Sequence, residues 1–153
     1  RQSGLAVVIG RFFNVVGPRQ TGAYGMVLPR FVQAARSGQP LMVHDDGQQI
    51  RCFAHVADVV GAVIRLTERP ESAGEIYNIG SDLPVSIHEL ARRVLERTGS
   101  RSEIRFQSYH DAYDKDFEDI RRRIPDLGKL RRAIDYRPRY DLNAIIDDVI
   151  ATT

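Results

Sequence analysis

The sequence predicts an α/β fold, and three observations carry the prediction. Residues 5–9, Leu-Ala-Val-Val-Ile, form a continuous apolar run of the kind found in strands buried on both faces of a parallel sheet. Strand-like and helix-like segments then alternate along the chain, and the last two segments are helical. The length of 153 residues, with 42% hydrophobic and 27% charged, allows one compact core.

A strand over 5–11 needs neighbours on its edges and helices on its faces, and no segment precedes it here. The reading is therefore of a sequence that starts partway through a larger α/β fold. After the turn at Gly17-Pro18, residues 26–36 read as an amphipathic helix with Val27, Phe31 and Ala35 on one face, ended by Ser37-Gly38-Gln39-Pro40. Residues 41–44 and 49–55 read as two short strands about the turn Asp45-Asp46-Gly47, a hairpin-like pair. Asp58 begins a helix carrying Val59, Val60, Val63, Ile64 and Leu66 before Pro70. Residues 75–79 are strand-like.

Ser86-Ile87-His88-Glu89 reads as a capping box, with the serine capping exposed amides and the glutamate reaching back to the Ser86 amide. Its helix runs to Thr98 and stops at Gly99. Residues 104–106 suit a last strand, and the acidic, aromatic stretch 109–119 reads as loop. Residues 127–134 and 142–150 read as closing helices, the second capped by Asp141, with a turn around Pro138.

Composition narrows the function classes. A net charge of +2 is far from the imbalance of a nucleic-acid binder, and no stacking platform accompanies the arginines. Lys115 and Lys129 are the only lysines, so the basic side chains are almost all of the type that grips phosphate bidentately. No apolar run can span a bilayer and no signal-peptide pattern opens the chain, so no membrane partner and a cytoplasmic setting are expected. Cys52 is the sole cysteine and His44, His55, His88 and His110 are scattered, so no metal site is expected.

Three constellations can carry binding. Arg11-Phe12-Phe13-Asn14 and Gly17-Pro18-Arg19 follow a buried strand, where open α/β sheets hold ligands. Asn14 can donate to a phosphate or sugar oxygen, or stabilise its own turn. On a regular strand Arg51, Phe53 and His55 would share one side, offering a charge, an aromatic surface and a hydrogen-bonding ring; alternatively Arg51 sits in an ion pair on an edge strand. Arg121-Arg122-Arg123 can clamp a diphosphate with one member, or form a solvated helix start. A Gly-x-x-Gly-x-x-Gly turn after a strand is absent, as is a tyrosine followed four residues later by lysine.

Taken in order, these segments resemble the extended short-chain dehydrogenase/reductase (SDR) family, in its nucleotide-sugar epimerases, dehydratases and decarboxylases. The resemblance rests on residues 11–20 (RFFNVVGPRQ), Leu28-Pro29, residues 39–44 (QPLMVH), residues 46–58 (DGQQIRCFAHVAD), Tyr77-Asn78-Ile79-Gly80 and residues 126–138. It implies the C-terminal part of an extended SDR. Residues 1–20 would end the dinucleotide-binding domain, as the last Rossmann strand. Residues 21–153 would form a small mixed α/β domain binding a nucleoside-diphosphate sugar.

By the same resemblance Asn14, Arg51, Asn78 and either Arg122 or Arg123 meet the substrate diphosphate. The backbone of Met42, Val43 and His44 holds the base, and Phe53 faces the ribose. Phe12 and Phe13 lie near the nicotinamide of NAD, which is bound mainly by residues outside this chain. The catalytic tyrosine and lysine lie there too, so this chain alone carries no catalytic residue and is expected to be inactive. A 4-epimerase of the UDP-glucose type is the first expectation for the full-length parent, itself a homodimer; 4,6-dehydratase, UDP-glucuronate decarboxylase and non-catalytic binding module are the alternatives. Cys52 stands where the family commonly has aspartate, and Met26 where some epimerases have an amide residue.

Overall fold

In the computed structural model, residues 4–23, 26–108 and 120–153 are described. The expected loop over 109–119 lies outside them.

Among the described residues eight short strands and five α-helices follow one another as β1 Ile9–Phe12, β2 Val15–Val16, α1 Val27–Arg36, β3 Leu41–His44, β4 Ile50–Arg51, β5 Ala54–His55, α2 Val56–Thr67, β6 Ile76–Ile79, β7 Val85–Ser86, α3 Ile87–Thr98, β8 Ile104–Gln107, α4 Gly128–Ile134 and α5 Leu142–Thr152. Among the described residues the strands pair two by two. β1 with β6, β2 with β5 and β3 with β8 are parallel, and β4 with β7 is antiparallel. Parallel pairs require crossovers, and the helices supply them, which makes the fold the α/β type expected.

Two cores result. α1, α3 and α5 bury Leu28, Phe31, Val32, Leu90, Val94, Ile145 and Ile146 against Leu41, Val43 and Phe53. The second core joins Val59, Ala62 and Leu66 of α2 to Tyr77 and Ile79 of β6 and to Leu127, Leu130 and Ile134 around α4. Val8 and Val15, on either side of β1, pack on the second core, and Val16 enters the first.

Four local expectations change. Residues 5–11 are not buried: Leu5 is 72% exposed and Ile9 49%, because β1 has one partner strand and no described helix covers its outer faces. Segments 41–44 and 49–55 do not pair as a hairpin. β3 takes its ladder from β8, and the buried Gln49 side chain bridges the turn by donating Nε2 to the His44 carbonyl at 2.8 Å. The second segment then breaks into β4 and β5, so Arg51, Phe53 and His55 do not line one face of a strand.

Helix α2 begins at Val56 rather than Asp58. His55 is its cap, with Nδ1 accepting from the Ala57 amide at 3.1 Å, and Val60 and Ile64 are about half exposed. In the Ser86 box only the serine behaves as expected, accepting from the Glu89 amide at 3.1 Å. The Glu89 carboxylate turns instead to Arg92 and Arg93 at 2.8 Å each. The stops and caps at Gly99 (φ +63) and Asp141 are as expected.

Candidate functional site

The carboxyl ends of β1 and β6 lie side by side, with Arg11 opposite Asn78 and Phe12 opposite Ile79. The Phe13 amide extends the ladder by donating to the Ile79 carbonyl at 3.0 Å. The residue after β6, Gly80, lies so close that a Cβ there would stand 3.0 Å from the Phe13 Cβ and 3.2 Å from its carbonyl oxygen. Tyr136 holds the same point from below, its buried hydroxyl donating to the Gly80 carbonyl at 3.0 Å; burial raises that phenol to about 12.

Asn14 adopts a left-handed backbone (φ 39) that asparagine tolerates better than most residues. Its amide donates to the Cys52 carbonyl at 2.8 Å, and its own carbonyl accepts from the Ala54 amide at 3.1 Å. Here Asn14 is the turn-stabilising residue that ties β1 to the β4–β5 corner. The Cys52 thiol beneath is fully buried, and burial pushes it up to about 11, which leaves it unreactive.

Residues 120–126 form a strap across this end of the molecule, not the start of a helix. The Ile50 amide donates to the Arg121 carbonyl at 2.8 Å and the Arg123 amide to the Ile50 carbonyl at 3.1 Å. Arg51 donates Nη1 to the Ile120 carbonyl at 2.7 Å. Arg121 reaches the β3–β4 turn, 2.7 Å from Asp46 and 3.6 Å from Asp45. Further along, the Arg123 guanidinium lies over the Phe13 ring, 5.4 Å from its centroid, and Asn78 donates to the Asp126 carbonyl at 3.1 Å. Among the described residues, no carboxylate pairs with Arg122 or Arg123.

The strap therefore gathers Phe13, Asn14, Arg51, Asn78, Arg122 and Arg123 at the strand ends, although 109 residues of sequence separate Phe13 from Arg122. Met42 and His44 lie to one side. With Val27, Arg30, Phe31 and Pro40 they line an open cavity of about 190 Å³ between β3 and α1. Val43 points the other way, into the first core, so only its backbone faces that side. Phe53 is buried and lines a different cavity of about 210 Å³ with Ser81, Leu83, Tyr140 and Asn143. Phe12 is 52% exposed on β1.

His55, grouped with the ligand-facing residues in the sequence, is structural. Besides capping α2 it stacks on Tyr140 with ring centroids 3.9 Å apart, and its Nε2 lies 3.1 Å from the Asp148 carboxylate of α5. The residues that sequence reasoning missed are Asp46 and Arg121, the anchor of the strap. Asp46-Gly47 was visible as a turn and Arg121 as one of three arginines, but no local pattern joins them. Among the described residues no cluster of three or more His, Cys, Asp or Glu could hold a metal ion, and no helix is long and apolar enough to cross a membrane.

A profile described as the NAD dependent epimerase/dehydratase family matches residues 1–80, just over half of the chain. The chain belongs to that family. Its members are the extended SDR enzymes that the sequence resembles. The chain is 42% identical over 136 residues to a UDP-N-acetyl-alpha-D-glucosaminuronate decarboxylase of Bacillus cytotoxicus, covering 88% of this chain and 42% of the relative. It is 34% identical over 142 residues to UDP-glucuronic acid decarboxylase 3 of Arabidopsis thaliana, covering 93% of this chain and 39% of that one. Its fold matches an epimerase of Methanothermobacter thermautotrophicus with TM-score 0.87 and 29% identity, over 97% of this chain and 43% of that one. The chain thus spans about two fifths of the length of the curated relatives it matches.

Proposed function

We propose that this chain is the substrate-binding part of an NAD-dependent enzyme acting on a UDP-sugar, and that the reaction is decarboxylation of a UDP-hexuronic acid. The observation that supports binding is the convergence of Asn14, Asn78, Arg51, Arg122 and Arg123 at the carboxyl ends of β1 and β6, where open α/β sheets hold ligands. Decarboxylation is favoured over the 4-epimerisation expected from sequence alone because the two curated relatives above are both decarboxylases of UDP-linked uronic acids. Epimerisation stays as the second reading, favoured by the fold match to an epimerase.

In this reading Arg51 and Arg122 or Arg123 neutralise the diphosphate, the remaining N–H of each asparagine amide helps to orient it, and the backbone of residues 42–44 receives the base. Holding that end fixes the sugar for reaction at C4. Phe12 and Phe13 fit one wall of a nicotinamide site: Phe12 presents half its surface at the strand end, and Phe13 is fixed by Gly80 and Arg123. NAD when bound supplies the hydride acceptor for oxidation at C4. The tyrosine base and the glycine-rich phosphate turn that the family resemblance implies would lie outside this chain. Residues 1–20 would close the dinucleotide-binding domain and residues 21–153 would carry the substrate site. The parent would be a cytoplasmic homodimer, and this chain alone inactive.

The test is to incubate the full-length parent with NAD and UDP-glucuronic acid and weigh the product. Release of carbon dioxide with a UDP-pentose supports decarboxylation, and an isomer of unchanged mass supports epimerisation. Absence of both turnover and binding would remove the proposal.

A further inference from the structure

The strap carries Arg123, which lies over Phe13, and Arg122 beside it, and one contact that holds the strap, the Asp46–Arg121 ion pair, lies outside the proposed diphosphate site. We infer that the Asp46–Arg121 ion pair is a latch that positions Arg122 and Arg123 for diphosphate binding, an inference that rests on the binding role proposed above.

The latch is built at its acidic end. β3 ends in a turn with Asp45 at φ 54 and Gly47 at φ +70, and a Cβ at Gly47 would stand 2.8 Å from Val43 Cγ1 and 3.0 Å from His88 Cβ. The turn is therefore confined to glycine there, which fixes the direction of the two aspartates before it. Within the turn the Gln48 amide donates to Asp46 Oδ1 at 2.9 Å, so the carboxylate is oriented independently of the strap. The α3 start locks the other side, the His88 amide donating to the Gly47 carbonyl at 2.9 Å.

At the basic end, Arg121 sits one residue before Arg122 and two before Arg123. With Arg51 donating into the strap at Ile120, four arginines belong to this short segment and its support. Like charges along one segment repel one another, and a carboxylate beside one of them offsets part of that repulsion. Asp46, with Asp45 behind it, does so at 2.7 Å, and the Arg121 guanidinium beside it holds the Asp46 carboxyl below its ordinary range. Among the described residues no carboxylate pairs with Arg122 or Arg123, which suits them to an anion. Asp46 and Arg121 are thus positioning residues, acting through the two arginines that follow.

The experiment is a double-mutant cycle in the full-length parent, reading the Kd for UDP by calorimetry and backbone amide exchange at Ile50 and Arg123. Asp46→Asn keeps the acceptor for Gln48 and loses the charge; Arg121→Gln loses the partner charge; Arg121→Lys keeps it. Each charge-removing variant is expected to weaken UDP about fivefold, the upper range for an exposed ion pair. The double variant should weaken it no further, Arg121→Lys should recover most of the affinity, and exchange at both amides should quicken in the two single variants. Effects that multiply in the double variant, or unchanged affinity or exchange in the singles, would overturn the latch. A wild-type parent that does not bind UDP would instead sink the proposed function, and the exchange measurement would still decide whether the latch exists.

Discussion

The guanidinium of Arg123 lies 5.4 Å above the ring of Phe13, so a residue from the last third of the chain closes over the end of its first strand. A cation so placed is attracted by the face of the ring, which helps to hold Arg123 at this end of β1. We predict that Arg123→Ala weakens UDP-sugar binding at least about tenfold, the scale of one charged hydrogen bond. Arg123→Lys should recover part of it. Calorimetry showing wild-type affinity in Arg123→Ala would exclude a ligand role.

Arg51 has a double duty, because it donates to the Ile120 carbonyl and stands beside the same site. Arg51→Ala should weaken nucleotide-sugar binding by about 1.5 to 3 kcal/mol. Unchanged affinity would confine Arg51 to holding the strap.

Gly80 is constrained by space. Its missing Cβ is the room that Phe13 occupies, 3.0 Å away, and the nearest atoms belong to backbone and Cβ rather than to a flexible tip. Gly80→Ala should destabilise the fold by about 1 to 3 kcal/mol, as overpacking does. Denaturant unfolding with an unshifted midpoint would show that the β1–β6 ends can part without cost.

Asp58 is buried and accepts from the Arg139 amide at 3.0 Å, the Tyr140 amide at 3.2 Å and the Arg139 guanidinium at 3.2 Å. It is the link that returns the chain from α4 to α5 across α2. Asp58→Ala strands two amide donors, and a loss of about 2 to 3 kcal/mol in unfolding free energy is expected. A loss below half a kcal/mol would mean that water replaces the carboxylate.

Glu89 gives the pH dependence. Hydrogen bonds from Arg92 and then Arg93 hold its carboxyl at about 2, below the ordinary 4.5. The native state therefore releases this proton at lower pH than the unfolded chain does. The stabilisation is complete above the unfolded value near 4.5 and is lost as pH falls from there through about 2. The stability gap between wild type and Glu89→Gln should be widest near neutrality and close by pH 2. A gap independent of pH would show that the arginines contribute packing and not charge.

Much of the fold was legible because it is written in local chemistry. Glycine at 99, the serine at 86 and the aspartate at 141 mark helix ends by rules that operate within four residues. The β3 strand and helices α1 and α3 follow from apolar spacing that any neighbour must respect. The candidate site was legible only in pieces. Asn14, Asn78 and the arginine run could be named from their resemblance to a family, but their meeting could not be read from spacing.

What the sequence by itself determined is the succession of elements, the family and the residue types available to a diphosphate. What only the tertiary structure decided is which of them meet. β3 chooses β8 over the nearer segment after it, because parallel ladders are closed by long crossovers whose partner no turn signal names. His55 becomes a helix cap stacked on Tyr140 and Phe53 a core residue, since two residues break the strand that would have aligned them with Arg51. Asp46 and Arg121 meet across 75 positions, a contact that depends on the turn at Gly47 and on the strap's hydrogen bonds to Ile50. Electrostatic attraction fixes that pair only once backbone hydrogen bonding has carried both charges to the same edge.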